Sequence, residues 1–591
     1  MGEGMAASKP QRKRAQSDGA ARPRAAQPAV GWALVALALA VALTYAGSLA
    51  TPFVFDDILN ILENPSIRSL APAHALAPPE SSGIASRPLV NLTLALNHAV
   101  SGSDPWSYNL FNVLVHLVAG LVLFDLARRT LRSPRLAARW GRQADGLGFA
   151  LALLWLLHPL QTQAVTYTIQ RCESLMGLLF LAACDCAARA WAAPDRGRAR
   201  GWQAGALAAF LLGLGVKEVI AALPPLLWLY ETTFFRDGWR DAWRRSRGFY
   251  AVLGGAWVVG GLWIVAHSFA MVGPEARRYG ALDYLSLQPG VILHYLRLSV
   301  WPAPLSIDYA WPLAPLGRRM LEALPIVLLL AATVWGLVRR HPLGFFGAWF
   351  FLILAPTSSI VPLPDLAFEH RMYLPLAAVV AAAVLGGYVA LRRLFAARAT
   401  TIAGLGLLLL LAVPLGLATR ARNADYRSPI ALWSATVATQ PQNARAHLSL
   451  GVALDRQGRR REALGHLRTA VELDPALVKA RINYAIALME AGDPQAALVH
   501  LRRALELDPE RATAHSNLGI ALLQLGRRDE GIAALRDALR YDANNVEAHF
   551  NLALALIESG REAEARRHYE AAYRLDPNYV RAAQPQRGSP R

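Results

Sequence analysis

Cysteine is scarce in this 591-residue chain. Cys172, Cys184 and Cys186 are the only three, all in or beside one apolar stretch. That excludes a disulfide scaffold, and the three read as small hydrophobes rather than as a metal or redox set. Lysine is scarcer still for so basic a chain: of 61 basic residues only Lys9, Lys13, Lys217 and Lys479 are lysine. Charged residues make up 17% against 54% hydrophobic, with mean hydropathy +0.27, which excludes a wholly disordered chain. The length excludes a single small domain. What is present instead is a series of long uncharged runs before residue 420, which read as membrane spans. A net charge of +19 would point to nucleic acid in a soluble protein. Here the arginines flank the apolar runs, so the positive-inside bias accounts for most of the excess and no nucleic-acid partner is expected.

Residues 1–29 are polar, basic and rich in Ala and Pro, and read as a disordered cytoplasmic tail. The uncharged run 30–50 is long enough to cross the roughly 30 Å hydrocarbon core. Ser48-Leu49-Ala50 looks like a cleavage site, but the run exceeds the roughly 7–15 residues of a signal core, so an uncleaved first span is expected. Further spans are expected at 109–127, 146–159, 173–192, 203–220, 221–235, 249–270, 321–338, 342–361, 373–391 and 401–419, eleven in all. Loops 128–142, 196–200 and 236–247 hold six, three and five arginines and lie inside if the amino terminus does. Residues 287–301 are apolar but short, and contain His294 and Arg297. A full crossing there would move Arg339, Arg340, Arg392, Arg393 and Arg398 outside, so this stretch is expected to dip into the membrane or lie on it. Everything after residue 420 then faces the non-cytoplasmic side.

After residue 428 a period of 34 residues sets in. It runs through Pro441, Pro475 and Pro509 and returns at Pro577; through Gly458, Gly492, Gly526 and Gly560; through Ala470, Ala504, Ala538 and Ala572; and through Gly451, Ala485, Gly519 and Ala553. This is a tetratricopeptide (TPR) pattern, in which two antiparallel helices per repeat need small residues where they cross and Gly and Pro where they stop. Ile430–Gln440 reads as a half-repeat joining the last span to the array. The expected fold is all-α: a multispanning helix bundle over 30–420, a TPR solenoid over 428–580, and a disordered tail at 581–591.

Every conspicuous polar cluster falls on one face of the membrane. PFVFDDILNILENPSI sets Asp56 and Asp57 among apolar residues; the alternative to a functional pair is that one of them caps the helix that follows. The second block, RPLVNLTLALN, brings Arg87, and the downstream SYNLFNVLVHL brings His116. HPLQTQAVTYTIQRCESL brings His158, Gln163, Arg171 and Glu173. Lys217-Glu218 is the only charged pair between Trp202 and Tyr230; it is either a functional pair or two charges neutralising each other. EHRMYLP supplies Glu369, His370 and Arg371.

These blocks, in the order PFVFDD, RPLVNLTLALN, HPLQTQAVTY with QR after it, VKE, LSVWP and EHRMYLP, followed by TPRs, resemble the transmembrane and TPR repeat-containing proteins of the GT-C class of glycosyltransferases. Eukaryotic members commonly carry a His and a Glu after the HP pair, where this chain has Gln161 and Gln163. The resemblance implies an inverting transfer of a sugar, mannose by preference, from a polyprenyl-phosphate donor to protein hydroxyls. Asp56 or Asp57 would act as base and Arg171, Lys217, Arg371 and His158 would hold the donor phosphate, supported by Glu218, Glu369 and His370. No metal ligands are assigned, although a divalent ion is compatible with the second aspartate. The TPR surface would hold the protein or peptide acceptor. The alanine-rich, arginine-over-lysine composition suggests a bacterial inner membrane with the array in the periplasm. The competing reading is a non-catalytic membrane scaffold that displays TPRs for envelope or secretion assembly. A transporter is weaker, since no duplicated halves are visible.

Overall fold

The computed structural model describes residues 28–80, 82–268, 280–311, 313–359, 361–363 and 365–583, and among these there is no strand. Most of each expected tail, 1–27 and 584–591, lies outside the described residues. Numbering only helices of eight or more residues, the first half comprises α1 (Pro28–Tyr45), α2 (Pro88–Ser101), α3 (Trp106–Leu131), α4 (Ala144–Leu156), α5 (Arg171–Trp191), α6 (Arg196–Leu214) and α7 (Leu223–Tyr230). It continues with α8 (Trp239–Ser268), α9 (Ala281–Val300), α10 (Leu316–Val338), α11 (Pro342–Leu354), α12 (Pro375–Leu394) and α13 (Ala397–Asp425).

Among the described residues, six segments are long and apolar enough to cross a membrane: Val30–Ser48, Trp106–Leu131, Thr168–Trp191, Leu316–Val338, Pro375–Leu394 and Ala397–Asp425. The other five expected crossings fall on α4, α6, α7, α8 and α11. Of these, α4 and α11 have 13 residues each, about 20 Å of helix, and α6 and α8 begin with arginines.

The helix ends sort onto two faces. On one, Arg128 of α3 bonds Asp145 of α4 at 2.5 Å, Arg189 of α5 bonds Asp125 of α3 at 2.6 Å, and Arg340 donates to the Asp237 carbonyl at 2.6 Å. The arginine-rich loops expected on one side therefore do lie together. On the opposite face Asn109 of α3 donates to the Thr51 carbonyl (2.9 Å), Asn112 to that of Val165 (3.1 Å), and Thr166 to Asn423 at the end of α13 (2.7 Å). The α9 helix runs along this second face. Tyr284 near its start donates to the Thr357 carbonyl (2.8 Å), and Ser299 near its end accepts from His158 (3.2 Å).

The array follows as α14 (Pro429–Thr439) and four helix pairs: α15 (Ala444–Arg456) with α16 (Arg460–Leu473), α17 (Val478–Glu490) with α18 (Pro494–Leu507), α19 (Ala512–Gln524) with α20 (Arg528–Tyr541), and α21 (Val546–Glu558) with α22 (Glu562–Leu575). Each pair turns at a glycine of positive φ, Gly458, Gly492, Gly526 or Gly560, a conformation other residues adopt at a cost. A Cβ on Gly451 would stand 2.7 Å from Leu467, and one on Gly519 2.6 Å from Leu535, so the small residues are there to let the helices close. The α14 half-repeat is capped by Ser428, and its Leu432 and Trp433 join the core of the membrane half. The array is thus continuous in packing with the bundle.

Candidate functional site

The face that carries α9 is crowned by loops, and the acidic pair sits in the first of them. Phe55 has φ of 51°, the left-handed region that a bulky side chain rarely adopts. Its exposed ring meets Trp433 edge-on at 5.3 Å and Tyr167 at 6.5 Å. Past this reversal the two aspartates part company. Asp57 is fully buried and accepts the Val54 N–H (3.0 Å) on one oxygen and the Ile169 N–H (2.8 Å) on the other. Burial pushes its pKa up to about 7 against the pull of those two bonds. Asp56 is exposed, and its backbone N–H donates to the Tyr167 hydroxyl at 3.0 Å. The surrounding chain crowds its carboxyl enough to raise the pKa although the residue keeps an open face, while the Tyr167 hydroxyl works the other way. Neither aspartate caps the single π turn Ile58–Leu62 with its side chain, which removes the capping interpretation.

One short segment ties this pair to a buried cation. After Tyr167 and Ile169, Glu173 on the first turn of α5 accepts Lys217 Nζ at 2.6 Å, with both side chains almost fully buried. His370 Nε2 lies 3.9 Å from the same carboxylate oxygen. Lys217 and Glu218 do not form an ion pair with each other. Lys217 is extended (φ −160°, ψ 144°), so the two neighbours point apart, and Glu218 pairs instead with Arg87 at 3.6 Å. Lys217, Arg371 and Arg87 all add to burial in holding the His370 imidazole neutral, well below the usual histidine range. Three cations therefore face two carboxylates around His370.

The other expected residues are placed as follows. Arg371 donates to the carbonyls of Leu366 (2.9 Å) and Asp365 (2.8 Å), so it pins that stretch of backbone, and among the described residues no carboxylate pairs with it directly. Arg171 does not join the group around Lys217. It is fully buried, bonds Asn97 (2.6 Å) and the Tyr108 carbonyl (3.1 Å), and stacks on Phe111. Both nitrogens of His158 are engaged, Nδ1 with the Leu160 N–H and Nε2 with the Ser299 carbonyl. Glu369 is fully buried and accepts from the Ser306 N–H and the Tyr309 hydroxyl (2.8 Å), and burial raises its pKa. Gln163 receives the His370 N–H at 2.9 Å and Gln161 is buried beside Tyr373. Each oxygen of Asp57 accepts one backbone N–H, and among the described residues no group of three or more His, Cys, Asp or Glu converges on a point that could hold an ion.

The array reaches the same place. Arg445 at the start of α15 grips Asp308 with two bonds (2.5 and 3.1 Å) and also bonds Asp365, while Asn443 donates to the Asp308 carbonyl (3.3 Å). Burial works against the Arg445 charge, but the two carboxylates outweigh it and raise its pKa. Asp365 and Arg445 both act electrostatically on Asp56. The first repeat therefore stands close enough to Asp56 to act on its charge.

Tetratricopeptide repeat families match residues 419–478 and 518–580, and residues 488–544. The protein O-mannosyl-transferase TMTC3 of Mus musculus is 34% identical over 154 residues, 24% of this chain and 15% of its own length. The protein O-mannosyl-transferase Tmtc3 of Drosophila melanogaster is 24% identical over 515 residues, 74% of this chain and 54% of its own. A match of that length exceeds the repeat array and extends into the membrane half. The chain is homologous to the TMTC proteins. It spans well under two thirds of the length of these relatives. A crystal structure of MamA protein is 23% identical over 27% of this chain and 87% of its own, with a TM-score of 0.23.

Sequence reasoning missed Tyr167, Asp308, Asp365 and Arg445. Asp308 in LSIDYAWP and Asp365 in VPLPDLAF carried the same signal as Asp56, a carboxylate between apolar residues at the membrane edge. Arg445 gave no signal beyond a break in the period: Lys479, Thr513 and Glu547 stand at its place in the later repeats.

Proposed function

We propose that this protein transfers mannose from a polyprenyl-phosphate donor to hydroxyl groups of a protein acceptor, on the face of the membrane that carries the loops and the array. The observation that carries the reading is the 167–173 segment, which fixes an exposed carboxylate, Asp56, at one end and a buried Lys217–Glu173 pair at the other. Asp56 takes the proton of the acceptor hydroxyl as its oxygen bonds the sugar C1 and the C1–O bond to phosphate breaks, a single displacement that inverts the anomeric centre. Burial raises its pKa, which strengthens it as a proton acceptor. Asp57 holds the loop in place rather than meeting substrate. Lys217, Arg371 and Arg87 supply the excess positive charge that stabilises the departing phosphate, and Arg171 supports the loop from behind. TPRs commonly hold extended partners, and the first repeat here opens beside Asp56. The arginine-rich face is cytoplasmic by the positive-inside bias. Contacts of both ends of α9 with loops of one face support its lying on the surface, which leaves eleven crossings and an external array. A periplasm-dependent reporter fused after Tyr579 is expected to be active, and activity only of a cytoplasmic reporter there would reverse this sidedness.

A second reading has a specific observation behind it. Asp57, Arg171 and His158 direct their polar atoms to the protein itself, as a scaffold would require. The deciding experiment compares wild type with Asp56→Asn at matched membrane expression, following mannose transfer from the lipid donor to envelope proteins by mass spectrometry. The enzyme reading expects a fall of about 10²–10⁴-fold with insertion intact. Equal glycosylation would leave the scaffold.

A further inference from the structure

On the face opposite Asp56, where α3 and α5 end, the structure holds a polar cavity of about 270 Å³ that the transfer reaction does not use. Arg128, Arg129, Arg132 and Arg236 line it against a single lining carboxylate, Asp125. That carboxylate is shared among three guanidiniums, at 3.1 Å from Arg128, 2.8 Å from Arg129 and 2.6 Å from Arg189. Asp145 takes Arg128 (2.5 Å) and Arg132 (2.7 Å), and Asp185 takes Arg129 (3.1 Å) and Arg189 (2.6 Å). Four arginines thus share three aspartates. Arg236 is separately matched by the fully buried Glu231 at 3.1 Å, so one positive charge is left over. Two further donors in the wall have no partner among the described residues: the hydroxyl of Ser133 and the indole N–H of Trp191, residues 2% and 7% exposed. An orphan donor of this kind costs about 1–3 kcal/mol unless something accepts from it. Trp191 and Phe235 give the cavity an aromatic wall, the residue type that sits at headgroup depth.

We propose that this cavity binds a phosphate-bearing monoanion, either the phosphodiester of an anionic membrane lipid or soluble inorganic phosphate. A single negative charge completes the balance of the cluster, and phosphate oxygens accept from guanidinium, hydroxyl and indole donors together. A basic pocket between membrane helices at the arginine-rich face matches the chemistry by which lipid headgroups are held. Zwitterionic phosphatidylcholine carries the same phosphodiester with its charge cancelled and competes poorly. Binding weakens as ionic strength rises, because the cluster is partly open to solvent.

The test uses the full chain in phosphatidylcholine nanodiscs. One arm adds phosphatidylglycerol, read by native mass spectrometry of retained lipid. The other adds inorganic phosphate, read by calorimetry. Arg132→Gln removes a lining charge and leaves the Arg128–Asp145 pair in place, and Arg459→Gln on the exposed face of the array is the control. Loss of one charge-assisted contact is expected to weaken binding about tenfold or more. Selective retention of phosphatidylglycerol, weakened by Arg132→Gln only, supports a lipid source; saturable phosphate binding weakened in the same way supports a soluble one. Equal binding by wild type and Arg132→Gln in both arms, or no preference for phosphatidylglycerol over phosphatidylcholine and no phosphate binding, overturns the site. Should Arg132→Gln lower expression, Arg132→Lys keeps the charge, and the preference of wild type for phosphatidylglycerol still decides the matter.

Discussion

The loop crown and the repeat array are both rich in polar contacts, but they are organised in opposite ways. In the array the same contact returns at one register position in three of the four repeats and joins neighbours: Arg459 bonds Glu462 (2.8 Å), Arg527 bonds Glu530 (2.6 Å) and Arg561 bonds Glu564, each three residues away and on the surface. In the crown each contact occurs once, is buried, and joins distant segments, as Lys217 does with Glu173 across 44 residues and Asp57 with Ile169 across 112. Exposed local pairs contribute little and are replaceable, whereas a buried pair leaves an uncompensated charge when broken. The array's exposed pairs therefore tolerate the loss of one partner and the buried pairs of the crown do not, which fits a division between a surface that holds and a site that acts.

The largest effect expected from this contrast is at Lys217. Its replacement by Ala strands Glu173 in the interior and is expected to cost about 3–5 kcal/mol, read as a fall in Tm of the detergent-solubilised protein. Replacing both Lys217 and Glu173 by Ala recovers part of that loss, while Arg459→Ala in the array leaves Tm unchanged. Equal sensitivity at both sites would erase the distinction.

Asp57 sharpens the contrast through pH. Its folded pKa, near 7, lies above the ordinary carboxylate value, so the folded state binds this proton more tightly than the unfolded chain does. The resulting stabilisation is fully present below about pH 4 and is lost as pH rises towards 7, with a slope of up to about 1.4 kcal/mol per pH unit. Asp57→Asn is expected to flatten this part of the Tm-against-pH curve between pH 5 and 7 relative to wild type. Parallel curves would show that Asp57 does not titrate there.

The smallest of the three effects is at the junction. Arg445→Ala removes both bonds to Asp308, a residue 4% exposed, and is expected to destabilise the seating of the first repeat by about 1–3 kcal/mol. Limited proteolysis between α13 and α15 should accelerate, with the later repeats still protected. Unchanged cleavage would mean that Trp433 and the α14 packing suffice to hold the array.

How far the chain could be read in advance follows the same division. The repeat boundaries were legible because Gly458, Gly492, Gly526 and Gly560 announce helix ends locally, and the long apolar runs announce spans by length alone. The face on which Asp56, Lys217 and Glu369 gather was legible from loop order. The partners were not. Lys217 and Glu218 are adjacent in sequence, yet extended backbone sends them to Glu173 and Arg87, and Arg445 meets Asp308 across 137 residues. Such pairings depend on how helices pack, which no local pattern encodes. The two roles of Arg171 and Lys217 illustrate this: both are cations at the same membrane edge, and only packing gives one neutral partners and the other a carboxylate.

The left-handed backbone at Phe55 bears on how this protein can vary. Just past it two neighbouring carboxylates enter different surroundings, one open and one buried, so Asp56 and Asp57 are exposed to different selection despite sharing a peptide bond. Lengthening the open one by a methylene, Asp56→Glu, meets solvent and the array, whereas Asp57→Glu has to push against Val54 and Ile169 in a sealed space. A saturation library across the motif would accordingly split between a position tuned by activity and a position tuned by folding, with the boundary falling on a single peptide unit.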